Sequence, residues 1–289
     1  MNVIAKPTSA LNIAKLSPSI GAEVTGIDLT KPVDKATQQQ LLDALHEHIF
    51  LVIRDQKFDT PEKYLAAGSL FGELMEQDQP EVLGLPGYPK IRMIDNMQKD
   101  QKGEISRAVP GWHTDHTHFE RPPKYTSMYP LQLPTSGGGT SLANMRIAFE
   151  RLPADLKKQL EPMQTVNVLA GSAARHLRST QVEGMKQGSS HTAIQPLVRT
   201  HPDHGSKALY FQPRKTENVV GMTPEATQEL FDDLLERIIQ PDNTFTHTWR
   251  LGDMLIWDNR SALHKANNDF DQNQRRQFYR ITVAGEKPF

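Results

Sequence analysis

Leu41, Leu42, Leu45 and Ile49 recur at the spacing of one helix face and predict a helix over 36–48. Phe50-Leu51-Val52-Ile53 follows at once and reads as a buried strand. Thr60-Pro61-Glu62 has the chemistry of a helix start, with Thr60 as cap and Pro61 in the first turn; that helix is expected to reach Phe71 and end at Gly72. Thr223-Pro224-Glu225 opens a stronger helix running to Ile239, and shorter ones are expected over 146–152 and 155–160. Strands are expected at 91–94, 125–133, 194–200, 208–211, 245–250, 254–257 and 278–283. The stretch 77–111 is polar and broken by Pro80, Pro86, Pro89 and Pro110, so it reads as a long loop around the 91–94 strand. Many short strands with few long helices suggest a β-sandwich or barrel with helices packed outside. No repeat or linker divides the chain, and 1–289 is expected to be one domain.

Composition narrows the chemistry. Lys and Arg total 33 against 34 acids, a net charge of -1 that gives no sign of nucleic-acid binding. The absence of cysteine excludes disulfides, thiolate nucleophiles and Cys-based zinc sites. The first residues lack the long apolar core of a signal peptide, and no run approaches the roughly 18 apolar residues of a membrane span. The cytoplasm is the simplest compartment, and assembly into a homo-oligomer is left open.

Residues 111–118 read Gly-Trp-His-Thr-Asp-His-Thr-His. His113 and Asp115 are two apart, and on extended chain such residues face one side. One imidazole and one carboxylate can then meet a single ion. His264, just past the apolar Met254-Leu255-Ile256-Trp257, is the candidate third ligand. Two histidines and a carboxylate on one face leave positions open, the arrangement of non-haem Fe(II) oxygenases. Spacing alone does not decide it, because His-x-Asp is common by chance and lone histidines are more often satisfied core or surface residues. His113, His116 and His118 with Asp115 also suit a zinc hydrolase, and a non-catalytic jelly-roll binding module is a third reading.

The wider pattern is more specific. His113-Thr114-Asp115, Phe119-Glu120-Arg121-Pro122-Pro123 and Gly137-Gly138-Gly139-Thr140 resemble the TauD/TfdA family of 2-oxoglutarate-dependent dioxygenases. So do Trp257-Asp258-Asn259-Arg260 with His264, Gln274-Arg275-Arg276 with Arg280, and the early stretches 21–29 and 71–74. Pro196-Leu197-Val198-Arg199-Thr200-His201-Pro202 adds another match, so the resemblance runs in order along nearly the whole chain.

That resemblance implies a mostly β double-stranded β-helix, or jelly roll, with flanking helices. It implies Fe(II) on His113, Asp115 and His264, 2-oxoglutarate as co-substrate on Thr140 and Arg276, and dioxygen as oxidant. It places Arg280 at the anionic end of a small substrate, whose C–H bond is oxidised as succinate and carbon dioxide are released. A guanidinium can hold the distal carboxylate through two parallel hydrogen bonds. Arg275 competes with Arg276, but neighbours on a strand face opposite ways, whereas Arg276 and Arg280 share a face. Plainer readings stand beside these. Thr140 suits a turn cap after three glycines, and Arg280 a solvated strand position. Trp257 suits core packing, and Asn259 with Arg260 a brace for the His264 turn. His191, His201, His204 and His247 read as ordinary loop histidines.

The departures concern the substrate. Glycine replaces the acid before Thr140, and Met75-Glu76-Gln77 stands where taurine-using relatives carry histidine. His116 replaces a small or apolar residue, and Gln212-Pro213-Arg214-Lys215 replaces an aromatic wall. Taurine is therefore doubtful, and a more polar or more highly charged anion is expected. His116, next to the metal aspartate, is expected to line that pocket and not to ligate.

Overall fold

The computed structural model describes residues 11–77, 84–98, 111–169, 192–213 and 215–289. The chain opens with β1 (Asn12–Lys15), β2 (Ala22–Thr25), α1 (Lys35–His48), β3 (Phe50–Ile53) and α2 (Pro61–Ser69). Next come β4 (Gly84–Leu85), β5 (Tyr88–Asp95), β6 (Tyr125–Gln132) and β7 (Thr140–Asn144). Helices α3 (Met145–Glu150) and α4 (Ala154–Leu160) lead to β8 (Gln164–Val168), β9 (Thr192–Pro196), β10 (Val198–Thr200), β11 (Lys207–Leu209) and β12 (Thr216–Val219). The chain then forms α5 (Pro224–Ile238), β13 (Thr244–His247), β14 (Met254–Asp258), β15 (Ala262–Ala266) and β16 (Gln277–Val283).

One eight-stranded sheet runs β1-β2-β3-β14-β6-β16-β5-β4, and it faces a three-stranded sheet, β13-β7-β15. Side-chain alternation explains the layering. In β3 and β14, Phe50, Val52, Leu255 and Trp257 point between the sheets, where Leu142 of β7 and Ala262 of β15 meet them. The intervening Leu51, Ile53, Met254 and Ile256 point outward, under Leu41 and Leu45 of α1 and Tyr64 and Ala67 of α2. On the far side Ala143 and Leu263 pack under Phe149 of α3 and Phe231 and Leu234 of α5. Strands covered on both faces need no polar alternation, which is why β3 and β14 read as unbroken apolar runs. The architecture is the expected jelly roll with helices outside.

Local chemistry sets the helix ends. Asp34 and Thr223 cap α1 and α5 by accepting from the Thr37 and Ala226 amides. Thr60 precedes Pro61 as expected but makes no side-chain cap bond. The predicted 194–200 strand is two strands, β9 and β10, because Leu197 turns into the core between them. The short β7 and β15 escaped the sequence pattern. Both carry functional candidates: Thr140 and Leu142 share the inner face of one, Ala262 and His264 that of the other.

Candidate metal centre and anion pocket

His264 sits on β15, and its backbone exchanges both hydrogen bonds with His113, at 2.9 and 2.8 Å. That bridge lays residue 113 beside 264 although about 150 positions separate them. Asp115 lies beyond the bridge, where the chain stops being extended. The extended-strand expectation therefore holds at His113 and fails just after it. Ligand atoms of His113, Asp115 and His264 lie within 4.8 Å of one another.

Hydrogen bonds preset the donors. His113 Nδ1 lies 2.8 Å from the Gly111 carbonyl, so Nδ1 carries the proton and Nε2 keeps its lone pair. His264 Nε2 faces Asp115 Oδ2 at 3.8 Å. Burial holds both histidines below their ordinary pKa, against the opposing pull of Asp115, and so favours the neutral imidazoles. Burial alone would raise the Asp115 carboxyl, but Arg280, His264 and His113 outweigh it and hold it well below the usual range. Two neutral imidazoles and one ionised carboxylate are the ligand states that a divalent cation needs.

Arg280 is 7% exposed, which overturns its reading as a solvated strand residue. Its Nη2 lies 2.8 Å from Asp115 Oδ1, at an angle that makes an ion pair and not a hydrogen bond. Arg276 is also buried, and its guanidinium lies over the Phe278 ring at 4.3 Å. Arg276 Nε donates to the Gly138 carbonyl at 2.8 Å, while Nη2 is buried without a partner among the described residues. Burial outweighs the pull of the Asp269 carboxylate and lowers its pKa to about 10, so the site favours an anion. A Cβ on Gly138 would lie 3.2 Å from Arg276 Cδ, and its φ of +68° also suits glycine. Thr140 starts β7 and is not a turn cap; its Oγ1 accepts from Trp249 Nε1 at 3.0 Å. The indole can only donate, so the Thr140 hydroxyl proton remains free for an acceptor. Trp249 packs at 4.7 Å on Phe278, the ring that lies under the Arg276 guanidinium, which ties Thr140 to Arg276. Arg275 points away to the surface, where it holds Asp95.

His116 adopts a left-handed backbone, φ 51°, and begins a turn in which the Phe119 amide donates to its carbonyl at 2.9 Å. Its ring stacks on Phe119 at 5.0 Å, and its Nδ1 is buried without a partner among the described residues. Among the described residues neither His116 nor His118 joins a group able to hold a metal, so the zinc-hydrolase ligand set does not assemble.

Sequence reasoning missed Thr126, whose hydroxyl donates to Asp115 Oδ2 at 2.6 Å. A polar residue sharing a strand face with Met128 was the available signal. His201 and His247 were read as loop histidines, yet both are buried and paired with Asp258 and Asp253 at 2.9 and 3.1 Å. His191 and Arg214 lie outside the described residues.

Residues 12–282 match the family model described as taurine catabolism dioxygenase TauD, TfdA family. An alkylsulfatase of Acinetobacter baylyi is 35% identical, over 98% of this chain and 88% of its own length. A (S)-phenoxypropionate/alpha-ketoglutarate-dioxygenase of Sphingobium herbicidovorans is 31% identical, over 96% of each chain. The crystal structure of a taurine dioxygenase from Burkholderia xenovorans superimposes with a TM-score of 0.79 at 28% identity, over 98% of this chain and 91% of that one.

Proposed function

The chain belongs to the TauD/TfdA family and is an Fe(II)- and 2-oxoglutarate-dependent dioxygenase, and from that premise we propose the residues that do the work and the kind of substrate they take. His113, Asp115 and His264 hold the iron. Thr140 and Arg276 hold 2-oxoglutarate, and Arg280 with His116 holds the anionic end of a small organic substrate. Iron and 2-oxoglutarate supply the power to activate dioxygen and oxidise a C–H bond; the chain's own groups bind, orient and exclude water.

The unpartnered Arg276 Nη2 would take one distal carboxylate oxygen, and the Thr140 hydroxyl can donate a further bond. Arg280 sits at the metal carboxylate, so an anion bound to it lies beside the iron. Sulfate esters and aryloxy carboxylates, the substrates named in two relatives, fit a buried guanidinium better than a neutral group does. Taurine fits less well, since histidine is replaced at Met75-Glu76-Gln77 and Gln77 is instead buried against Thr282. We read 1–289 as one domain working in the cytoplasm on small molecules, without nucleic acid or membrane. The balanced charge supports this, and among the described residues no helix is long and apolar enough to cross a membrane.

The carrying observation is the convergence of His113, Asp115 and His264 with Arg280 paired to the carboxylate. The test is succinate release from 2-oxoglutarate under air, with and without Fe(II), across alkyl sulfates, sulfonates and aryloxyalkanoates. Iron-dependent release stimulated by one anion class is expected, and Arg280→Ala should abolish that stimulation. Stimulation by neutral compounds alone would overturn the anion assignment.

A further inference from the structure

Asp115 is the end of a buried hydrogen-bond chain. Trp257 Nε1 donates to Asn259 Oδ1 at 3.0 Å, Asn259 Nδ2 donates to Thr126 Oγ1 at 2.8 Å, and Thr126 Oγ1 donates to Asp115 Oδ2 at 2.6 Å. Trp257, Asn259 and Thr126 are each at most 1% exposed, so water does not compete for these bonds.

The two ends force the direction of the whole chain. An indole N–H only donates, which fixes the Asn259 amide with its oxygen toward Trp257. Its NH2 must then point at Thr126, whose oxygen accepts. The Thr126 proton is left with one outlet, and an ionised carboxylate only accepts. Thr126 therefore always offers its proton to Oδ2, while Arg280 faces Oδ1 on the other side. The backbone is tied in as well: Thr114 Oγ1 donates to the Asn259 carbonyl at 2.9 Å, linking the loop of His113 and Asp115 to the end of β14.

We propose that Thr126 and Asn259 are positioning residues that fix the rotation of the Asp115 carboxylate and so set the affinity of the metal centre. This rests on the metal reading of His113, Asp115 and His264 given above. A carboxylate held from one side only could rotate and would spend less of its time aimed at the ion. Partners of this kind, removed, weaken metal binding by roughly 10–100-fold.

The test titrates Mn(II) calorimetrically into the full-length metal-free protein and its variants, with the thermal midpoint of each metal-free form as control. Thr126→Val should weaken Mn(II) by roughly 10–100-fold. Thr126→Ser, which keeps the hydroxyl, should bind like wild type. Asn259→Leu should also bind more weakly, because the Thr126 proton is no longer directed, and it serves if Thr126→Val does not fold. Wild-type affinity in both Thr126→Val and Asn259→Leu would overturn the proposal, as would equal losses in the valine and serine variants, which would make packing the cause. Asp115→Ala separates the two levels. If it binds Mn(II) like wild type, the metal reading itself fails; if it alone loses Mn(II), only the positioning proposal does.

Discussion

Two groups in this protein have the same composition, two histidines and one aspartate with ligand atoms within 4.8 Å: His113, Asp115 and His264, and His46, His201 and Asp258. Their surroundings give them opposite roles. In the second group Arg260 takes both Asp258 oxygens, with Nε on Oδ1 at 2.9 Å and Nη2 on Oδ2 at 2.8 Å. Arg260 also reaches Asp203 and the Tyr125 hydroxyl, and His201 Nε2 completes Asp258 at 2.9 Å. His46 Nε2 is spent on Tyr125 at 2.5 Å. A guanidinium already fills the place of a cation, and burial of the pair is compensated from within. In the first group Arg280 and the Thr126 hydroxyl each meet one carboxylate oxygen, no guanidinium bridges the two, and His264 Nε2 stands 3.8 Å from Asp115 Oδ2, too far for a hydrogen bond. Residue identity finds both groups; the accounting of donors and acceptors separates a closed brace from an open ligand set.

Breaking each group at its aspartate should give the largest contrast. Asp115→Ala is expected to abolish metal-dependent succinate formation while leaving a folded protein. Asp258→Asn leaves Arg260 buried and under-compensated, so it should cost on the order of 3–5 kcal/mol of stability. Denaturant midpoints and metal stoichiometry check both, and one bound ion is expected wherever the second group alone is altered. Metal loss in Asp258→Asn with unchanged stability would contradict the contrast.

Arg276→Lys comes next. A point-charge ammonium cannot hold the Gly138 carbonyl and a carboxylate oxygen at once in the guanidinium's fixed geometry, and the loss should be about 1.5–3 kcal/mol, seen as a raised KM for 2-oxoglutarate. The pH response should be smaller. Burial holds His113, His264 and His46 below the ordinary imidazole pKa in the folded state. The unfolded chain takes up protons near about 6.5 that the folded chain refuses, so stability should fall as pH drops below that value. The thermal gain from Mn(II), however, should decline at a lower pH than the titration of a free imidazole would dictate, because burial depresses both ligand imidazoles. A gain that vanishes with the titration of a free imidazole would count against the buried, neutral ligands. Least affected should be Arg275→Lys, since Arg275 is itself exposed and pairs with Asp95; an unchanged KM for 2-oxoglutarate is expected.

The ends of α1 and α5 and the positions of β3, β6, β14 and β16 were legible because two-sided burial or helical spacing writes them into consecutive residues. The short β7 and β15 were not, since each is five residues long and mixes polar with apolar positions, three to two in β7 and two to three in β15. Of the site, His113, Asp115 and His264 carried a motif, and the structure brings them together. Thr126 carried none: a threonine in an apolar strand is ordinary, and its meaning comes from Asp115, eleven positions earlier, folding back against it. His201 and His247 misled for the same reason, their aspartates lying 57 and 6 positions away by number yet in contact through the fold. His116 follows Asp115 directly, but a left-handed turn, and not strand alternation, aims its ring.

The strand order has a consequence for how the molecule is made. β14 lies between β3 and β6, and β16 between β6 and β5, so strands late in the sequence fill the middle of the sheet. A chain emerging from the ribosome presents β3, β6 and β5 with their bonding edges open until those later segments arrive. Such non-local pairings close slowly, and open edges in the interval invite misassembly. His264, Arg276 and Arg280 all belong to the late segments. A nascent chain cannot bring His264 to His113 and Asp115 before β15 is made, and it gains Arg276 and Arg280 only as β16 is reached, so the ligand set and the arginines beside it come together last.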